Sequence, residues 1–285
     1  MSEHRLRIPL VGPVRGVTYR DITLLSGPAG WGECSPLPGY PCDPGLARRA
    51  AEEAACEGWP PAVRDTVPVN ALVPDGPIDG ASLAGFSSVK LKVDARHDVE
   101  RVAELRDIVG PTVAIRVDAN GAWDVDTAVD VIERLDRYDV ELIEQPVATL
   151  DDLARVRRKV TVPIAVDESL RSLDDARDVA RLEVADVVVL KVQPLGGVRA
   201  ALAVAGAAGV PAIVTSMLET SVGLAAGLAL AAALPELPFA CGLGTAALLA
   251  GDVVADPLVP VDGVLAVRRP TPVVELIARY EVTEP

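Results

Sequence analysis

Seven residues close seven short apolar runs at nearly equal spacing. Lys92, Asp118, Glu144, Asp167, Lys191, Ser216 and Gly242 follow one another at intervals of 26, 26, 23, 24, 25 and 26 residues. The runs, rich in Val, Ile and Leu, lie at 67–73, 88–93, 113–118, 140–145, 162–167, 186–192, 211–217 and 239–244. Each has the length of a buried strand. Amphipathic helical patterns fill 98–109, 125–138, 151–160, 174–182, 198–208 and 221–234. Strand and helix in alternation build a parallel sheet. Eight strand candidates predict that the sheet closes into a barrel, and each unit delivers one residue to its C-terminal end. An open doubly wound sheet would call for a glycine-rich phosphate loop, and the sequence has no GxGxxG or GxxxxGK[ST].

The flanks follow another pattern. Residues 6–11, 17–25 and 30–34 read as strands and 46–58 as a helix, while 262–282 reads as a strand and a helix. Half of the 285 residues are hydrophobic but only 3% are aromatic, so Val, Leu, Ala and Ile must build the core. A formal charge of −14 repels a phosphate backbone and argues against nucleic acid as a partner. The opening MSEHRLRIPL has no long apolar run, and the apolar stretch near 222–234 is too short for a bilayer. The expectation is a soluble, cytoplasmic protein. Cys34, Cys42, Cys56 and Cys241 form no CxxC pair and are expected to be reduced thiols.

The strand ends carry the chemistry. Asp118, Glu144 and Asp167 close three successive strands, so three carboxylates meet at one level. Their mutual repulsion is relieved by a cation. Oxygen ligands without His or Cys favour a hard ion, Mg²⁺ first and Mn²⁺ as the alternative. Lys90 and Lys92 share a face by the period of two. A second ammonium nearby favours loss of a proton, which makes a lysine a usable base. Lys191 ends a strand far round the barrel, so Lys92 and Lys191 are expected to face each other across the metal. A metal that chelates a substrate carboxylate stabilises an enediolate while a lysine removes the α-proton. A lysine base beside Mg²⁺ resembles the arrangement of enolase-type sites. Other positions stay open. Asn120 suits a substrate contact or a turn, and Arg116 a substrate contact or an internal ion pair. Ser216, Gly242 and Gly244 suit an anionic tail, or the glycines a tight turn. His4 and His97 lie off the strand ends.

With those residues in place, Lys90-Leu91-Lys92, Asp118-Ala119-Asn120, Glu144-Gln145-Pro146, Asp167-Glu168-Ser169 and Lys191-Val192 resemble the signature of the enolase superfamily, in its muconate-lactonising subgroup. The resemblance covers about 67–262. It implies a (β/α)₇β barrel of the TIM type at 67–261 and an α+β capping domain made from 1–66 with 262–285 returning to it. The run from Arg116 to Trp123, Ser216 and the Gly242–Thr245 stretch are similar to the o-succinylbenzoate synthase family of menaquinone biosynthesis. That implies a syn dehydration of 2-succinyl-6-hydroxy-2,4-cyclohexadiene-1-carboxylate, with Lys92 as base and then acid and Lys191 as a cation. The cap is short for the superfamily, and its loops 10–20 and 35–43 are the candidates for substrate contact.

An N-succinylamino acid racemase, using both lysines as bases, is the nearest alternative, and muconate cycloisomerase a further one. A dipeptide epimerase would carry an acid pair where this chain has Cys241-Gly242-Leu243-Gly244. A non-catalytic binding barrel would not need all five charged strand ends. A Schiff-base aldolase on Lys191 would leave the carboxylates unexplained. The reaction needs no second subunit, and the expectation leans to a monomer acting on a small carboxylate.

Overall fold

A computed structural model describes residues 2–14, 16–73, 76–93 and 98–282. The first three strands, β1 (Ser2–Val14), β2 (Val17–Gly27) and β3 (Gly30–Cys34), form an antiparallel sheet. Helix α1 (Pro44–Glu52) follows, extended by one wider turn over Glu53–Glu57. Two short strands, β4 (Thr66–Pro68) and β5 (Ala71–Val73), lead into the barrel.

The barrel then alternates as its spacing predicts. Its elements are β6 (Ser88–Lys92), α2 (Asp98–Val109), β7 (Ala114–Asp118), α3 (Val125–Asp136), β8 (Val140–Glu144) and α4 (Leu150–Arg157). They continue through β9 (Ile164–Val166), α5 (Leu173–Leu182), β10 (Val187–Leu190), α6 (Val198–Ala208), β11 (Ala212–Val214) and α7 (Ser221–Ala233). Strands β5 to β11 form one sheet in chain order, parallel throughout. Cys241 and Gly242 close it, bridging Val69 on one side and Thr215 on the other. Among the described residues between β5 and β6 stands a single-turn 3₁₀ segment, Gly80–Leu83. The His97 position lies outside the described residues.

Side chains alternate across each strand. Leu142, Ala165, Val187, Val189 and Ile213 pack inside the barrel with Phe239. Their neighbours, such as Val89, Ile115, Ile143, Ile164 and Val188, face the helices in the main core. Leu6, Ile8, Ile22, Leu24 and Ile277 join a separate core under the antiparallel sheet.

The C-terminal stretch divides. Strand β12 (Val264–Ala266) pairs with β4, and α8 (Val274–Tyr280) packs on β1, with Val282 N–H donating to the Arg5 carbonyl. Among the described residues no helix is long and apolar enough to cross a membrane.

Helix starts show how firmly the cap grips the barrel. Asp124, Thr149 and Ser172 cap their own helices, each accepting from a backbone N–H of the first turn. Helix α6 starts at Gly197 and has no side-chain cap of its own. Glu53 of the cap supplies one, accepting from the Val198 N–H at 2.7 Å and the Arg199 N–H at 3.2 Å. A Cβ on Gly197 would run into that carboxylate. At α7, where Thr220 caps its own helix through the Val222 N–H, Glu33 of β3 adds a second hold, accepting from the N–H groups of Thr220 and Gly223 and from the Thr220 hydroxyl.

Candidate active site

The register of the strands decides which side chains meet. Lys92 pairs with Asp118, and Asp118 with Glu144, across adjacent strands. Asp167 stands just beyond β9 and Lys191 just beyond β10. One cavity at this barrel end is lined by Lys90, Lys92, Asp118, Asn120, Asp167, Lys191, Ser216, Gly242 and Gly244. Leu72, Met217 and Leu218 add apolar wall, and Val14, Leu37 and Tyr40 enter from the cap. The cavity therefore collects nine of the eleven residues singled out in the sequence.

The carboxylates are nearly inaccessible, at 2% for Asp118, 1% for Glu144 and 3% for Asp167. Lys90 Nζ lies 2.8 Å from Asp118 Oδ2 and 2.6 Å from Glu144 Oε1. Glu144 lies under Lys90 and off the cavity wall. Burial opposes the Lys90 charge, but Asp118 and Glu144 outweigh it and raise its pKa. The charge of Lys90 is thus engaged by two acids. Burial likewise opposes the Asp118 anion, and Lys90 prevails and lowers its pKa. Glu144 goes the other way: burial, with Asp118 and Asp167 nearby, pushes it up to about 8 despite Lys90. Lys191 donates to both oxygens of Asp167, and that pairing raises its pKa against burial.

Among the described residues no three His, Cys, Asp or Glu side chains stand close enough to hold a metal as they are placed. The ammonium groups of Lys90 and Lys191 take the carboxylate oxygens instead. The donor set still fits a hard divalent ion. Three buried carboxylates come from three successive strands at one barrel end and offer an all-oxygen donor set.

Asn120 takes the turn role, left-handed at φ 47°, and stands at the cavity wall. Its side-chain N–H groups donate to Asp118 Oδ1 at 2.8 Å and to Glu168 Oε1 at 3.2 Å. The Ser216 hydroxyl is 2.8 Å from that of Thr245. Gly242 is needed for close approach, since a Cβ there would stand 2.8 Å from Thr215 Cγ2. Gly244 meets nothing closer than 3.2 Å.

Arg116 takes the second of the two roles open to it, the internal ion pair. The structure does not bring it to the cavity. It shares the inward face with Asp118 but extends toward the opposite end. There it pairs with Glu141, donates to the Ala240 carbonyl and lies over the Phe239 ring. At 1% exposure it plugs the barrel floor. A long side chain two residues before a strand end can reach either way, and sequence spacing does not fix which.

Tyr40 is the side chain that strand-end reasoning passes over. Its hydroxyl donates to Asp167 Oδ1 at 2.8 Å, and it lies beside Lys191. An aromatic is rare in this chain, and one inside a candidate cap loop was the available signal.

Comparison with known proteins places this geometry. Residues 79–272 match the family model described as enolase C-terminal domain-like, and 6–55 the one described as enolase N-terminal domain-like. An o-succinylbenzoate synthase from Thermobifida fusca is 54% identical, covering 99% of this chain and 92% of the relative. One from Mycolicibacterium smegmatis is 43% identical, covering 99% and 90%. The crystal structure of a muconate lactonizing enzyme from Pseudomonas fluorescens, in complex with muconolactone, superposes with a TM-score of 0.87 at 22% identity, covering 99% of this chain and 98% of that one. The chain belongs to the enolase superfamily and, within it, to the family of o-succinylbenzoate synthases.

Proposed function

We propose that the chain is an o-succinylbenzoate synthase, dehydrating 2-succinyl-6-hydroxy-2,4-cyclohexadiene-1-carboxylate in menaquinone biosynthesis. The observation that carries this is the convergence of Lys92 and Lys191 with Asp118 and Asp167 on one cavity, Glu144 lying beneath Lys90, in a chain 54% identical to such a synthase. Members of the superfamily use divalent metal ions. Here Asp118, Glu144 and Asp167 would hold one, with Mg²⁺ first and Mn²⁺ second. When bound, that ion supplies positive charge to the substrate carboxylate as negative charge builds on it.

The rest falls to side chains. Lys92 takes the α-proton, and the electron pair moves into the carboxylate. Lys191, a buried cation across the cavity, offsets the charge that develops there. Lys90 stays on Asp118 and Glu144 and fixes the floor of the site. The ammonium formed on Lys92 returns its proton to the departing hydroxyl, so water leaves from the face that lost the proton. The ring becomes aromatic, which drives the step. Ser216, Gly242 and Gly244 line the side where the succinyl carboxylate would lie.

In this reading 1–66 and 262–285 form the cap and 67–261 the barrel, and the protein is a cytoplasmic monomer with no nucleic-acid or membrane partner. The test follows the cyclohexadiene absorbance with substrate and Mg²⁺. Turnover that a chelator stops and Mg²⁺ restores supports the proposal. A folded, metal-loaded protein that leaves the diene intact rejects it. N-succinylamino acid racemisation, which the opposed lysines also permit, would appear as solvent deuterium entering the α-carbon.

A further inference from the structure

Among the described residues of the cap, Tyr40 enters the charged centre. Tyr40 sits in the loop between β3 and α1. Lys191 Nζ donates to its hydroxyl at 3.3 Å and stands 4.4 Å from its ring centroid. An ammonium has three N–H donors, and Asp167 Oδ1, Asp167 Oδ2 and Tyr40 Oη account for all of them. The ring adds an attraction of its own through its negative face. The hydroxyl also donates to Asp167 Oδ1 at 2.8 Å, while the ring contacts Lys191 independently of Asp167.

The loop is fixed at both ends. Ser35 N–H donates to Gln193 Oε1 at 2.7 Å, and Gln193 Nε2 donates back to Ser35 Oγ at 3.1 Å. Gln193 lies two residues beyond Lys191 on the same stretch. Arg20, 1% exposed, grips the carbonyls of Ser35, Pro36 and Leu218. At the far end Asp43 caps α1 through the Leu46 N–H at 3.0 Å. The loop is therefore anchored to the segment that carries the lysine, and Tyr40 falls over it.

We propose that Tyr40 is a positioning residue for the dehydration: ring and hydroxyl together hold the Lys191 ammonium toward the cavity and shut it off from bulk water. This rests on reading Lys191 as the cation of that reaction. Tyr40→Phe keeps the ring, and Tyr40→Leu removes both contacts.

Two readouts decide it on the Mg²⁺-loaded protein. The first is reductive methylation resolved by mass spectrometry, with the exposed Lys159 as internal reference. Lys191 should be labelled about ten-fold faster in Tyr40→Leu, with Lys159 unchanged and Tyr40→Phe near wild type. The second is steady-state kinetics. In Tyr40→Leu kcat should fall about ten-fold with KM within about three-fold, and in Tyr40→Phe kcat should fall less. Unchanged labelling of Lys191 overturns the proposal. So does a raised KM with kcat intact, which would make Tyr40 only a wall. If wild type turns over no substrate, the functional reading falls and the labelling alone decides on Tyr40. If circular dichroism shows Tyr40→Leu unfolded, the kcat of Tyr40→Phe decides: a several-fold fall supports the hold, and no fall overturns it.

Discussion

Lys90, partly buried, and Arg116, fully buried, are cations on the inner face of the barrel, each paired with acids, and they do opposite jobs. Lys90 holds Asp118 and Glu144 together at the reacting end. Removing it leaves two buried carboxylates without their partner, which costs about 3 kcal/mol. Lys90→Ala should melt well below wild type, and Mg²⁺ should recover more of that loss than it adds to wild type. Equal metal shifts in both proteins would contradict the fit of a cation to these acids. Arg116 secures the floor with Glu141 and Ala240. Arg116→Ala should also cost about 3 kcal/mol, while KM stays within about two-fold. A large rise in KM would return Arg116 to the substrate. The carboxylates and lysines at strand ends were legible because each ends an apolar run at one spacing. Arg116 and Tyr40 were not: one depends on which way a long side chain extends, the other on a loop folding back 151 residues in sequence onto Lys191.

At the scale of elements, the six long barrel helices and their strands follow the apolar periods closely, because local pattern and burial agree there. What the pattern hides is capping from a distance. Neither Glu53 at α6 nor Glu33 at α7 is near its helix in sequence. Glu53→Ala strips the start of α6 and should lower stability by about 1–3 kcal/mol, read as a lower Tm. An unchanged Tm would show that the contact contributes nothing. Glu33 predicts a pH dependence. Burial, with Glu219 nearby, pushes its carboxyl from 4.5 up to about 7. Between those values the folded form keeps a proton that the unfolded form has lost, so stability falls as pH rises through the window. Wild type should lose several degrees of Tm from about pH 5 to 8, and Glu33→Gln should lose less. Parallel profiles would contradict that origin.

At the scale of the molecule, the barrel was visible as a repeat, whereas the cap's reach into it was not, since no repeat records an interface. The chain supplies both from one strand order. Seven parallel strands and a closing bridge present the charges at one end, and the antiparallel sheet, with α8 packed on it, covers that end. In this account the whole assembly serves one proton transfer, from the substrate α-carbon to Lys92 and on to the leaving hydroxyl. The most direct test compares wild type with Lys92→Ala in the diene assay, both folded and loaded with Mg²⁺. Wild type should lose the absorbance rapidly, and the rate in the variant should fall at least about a thousand-fold. A Lys92→Ala protein that dehydrates the substrate at a rate near wild type would contradict it.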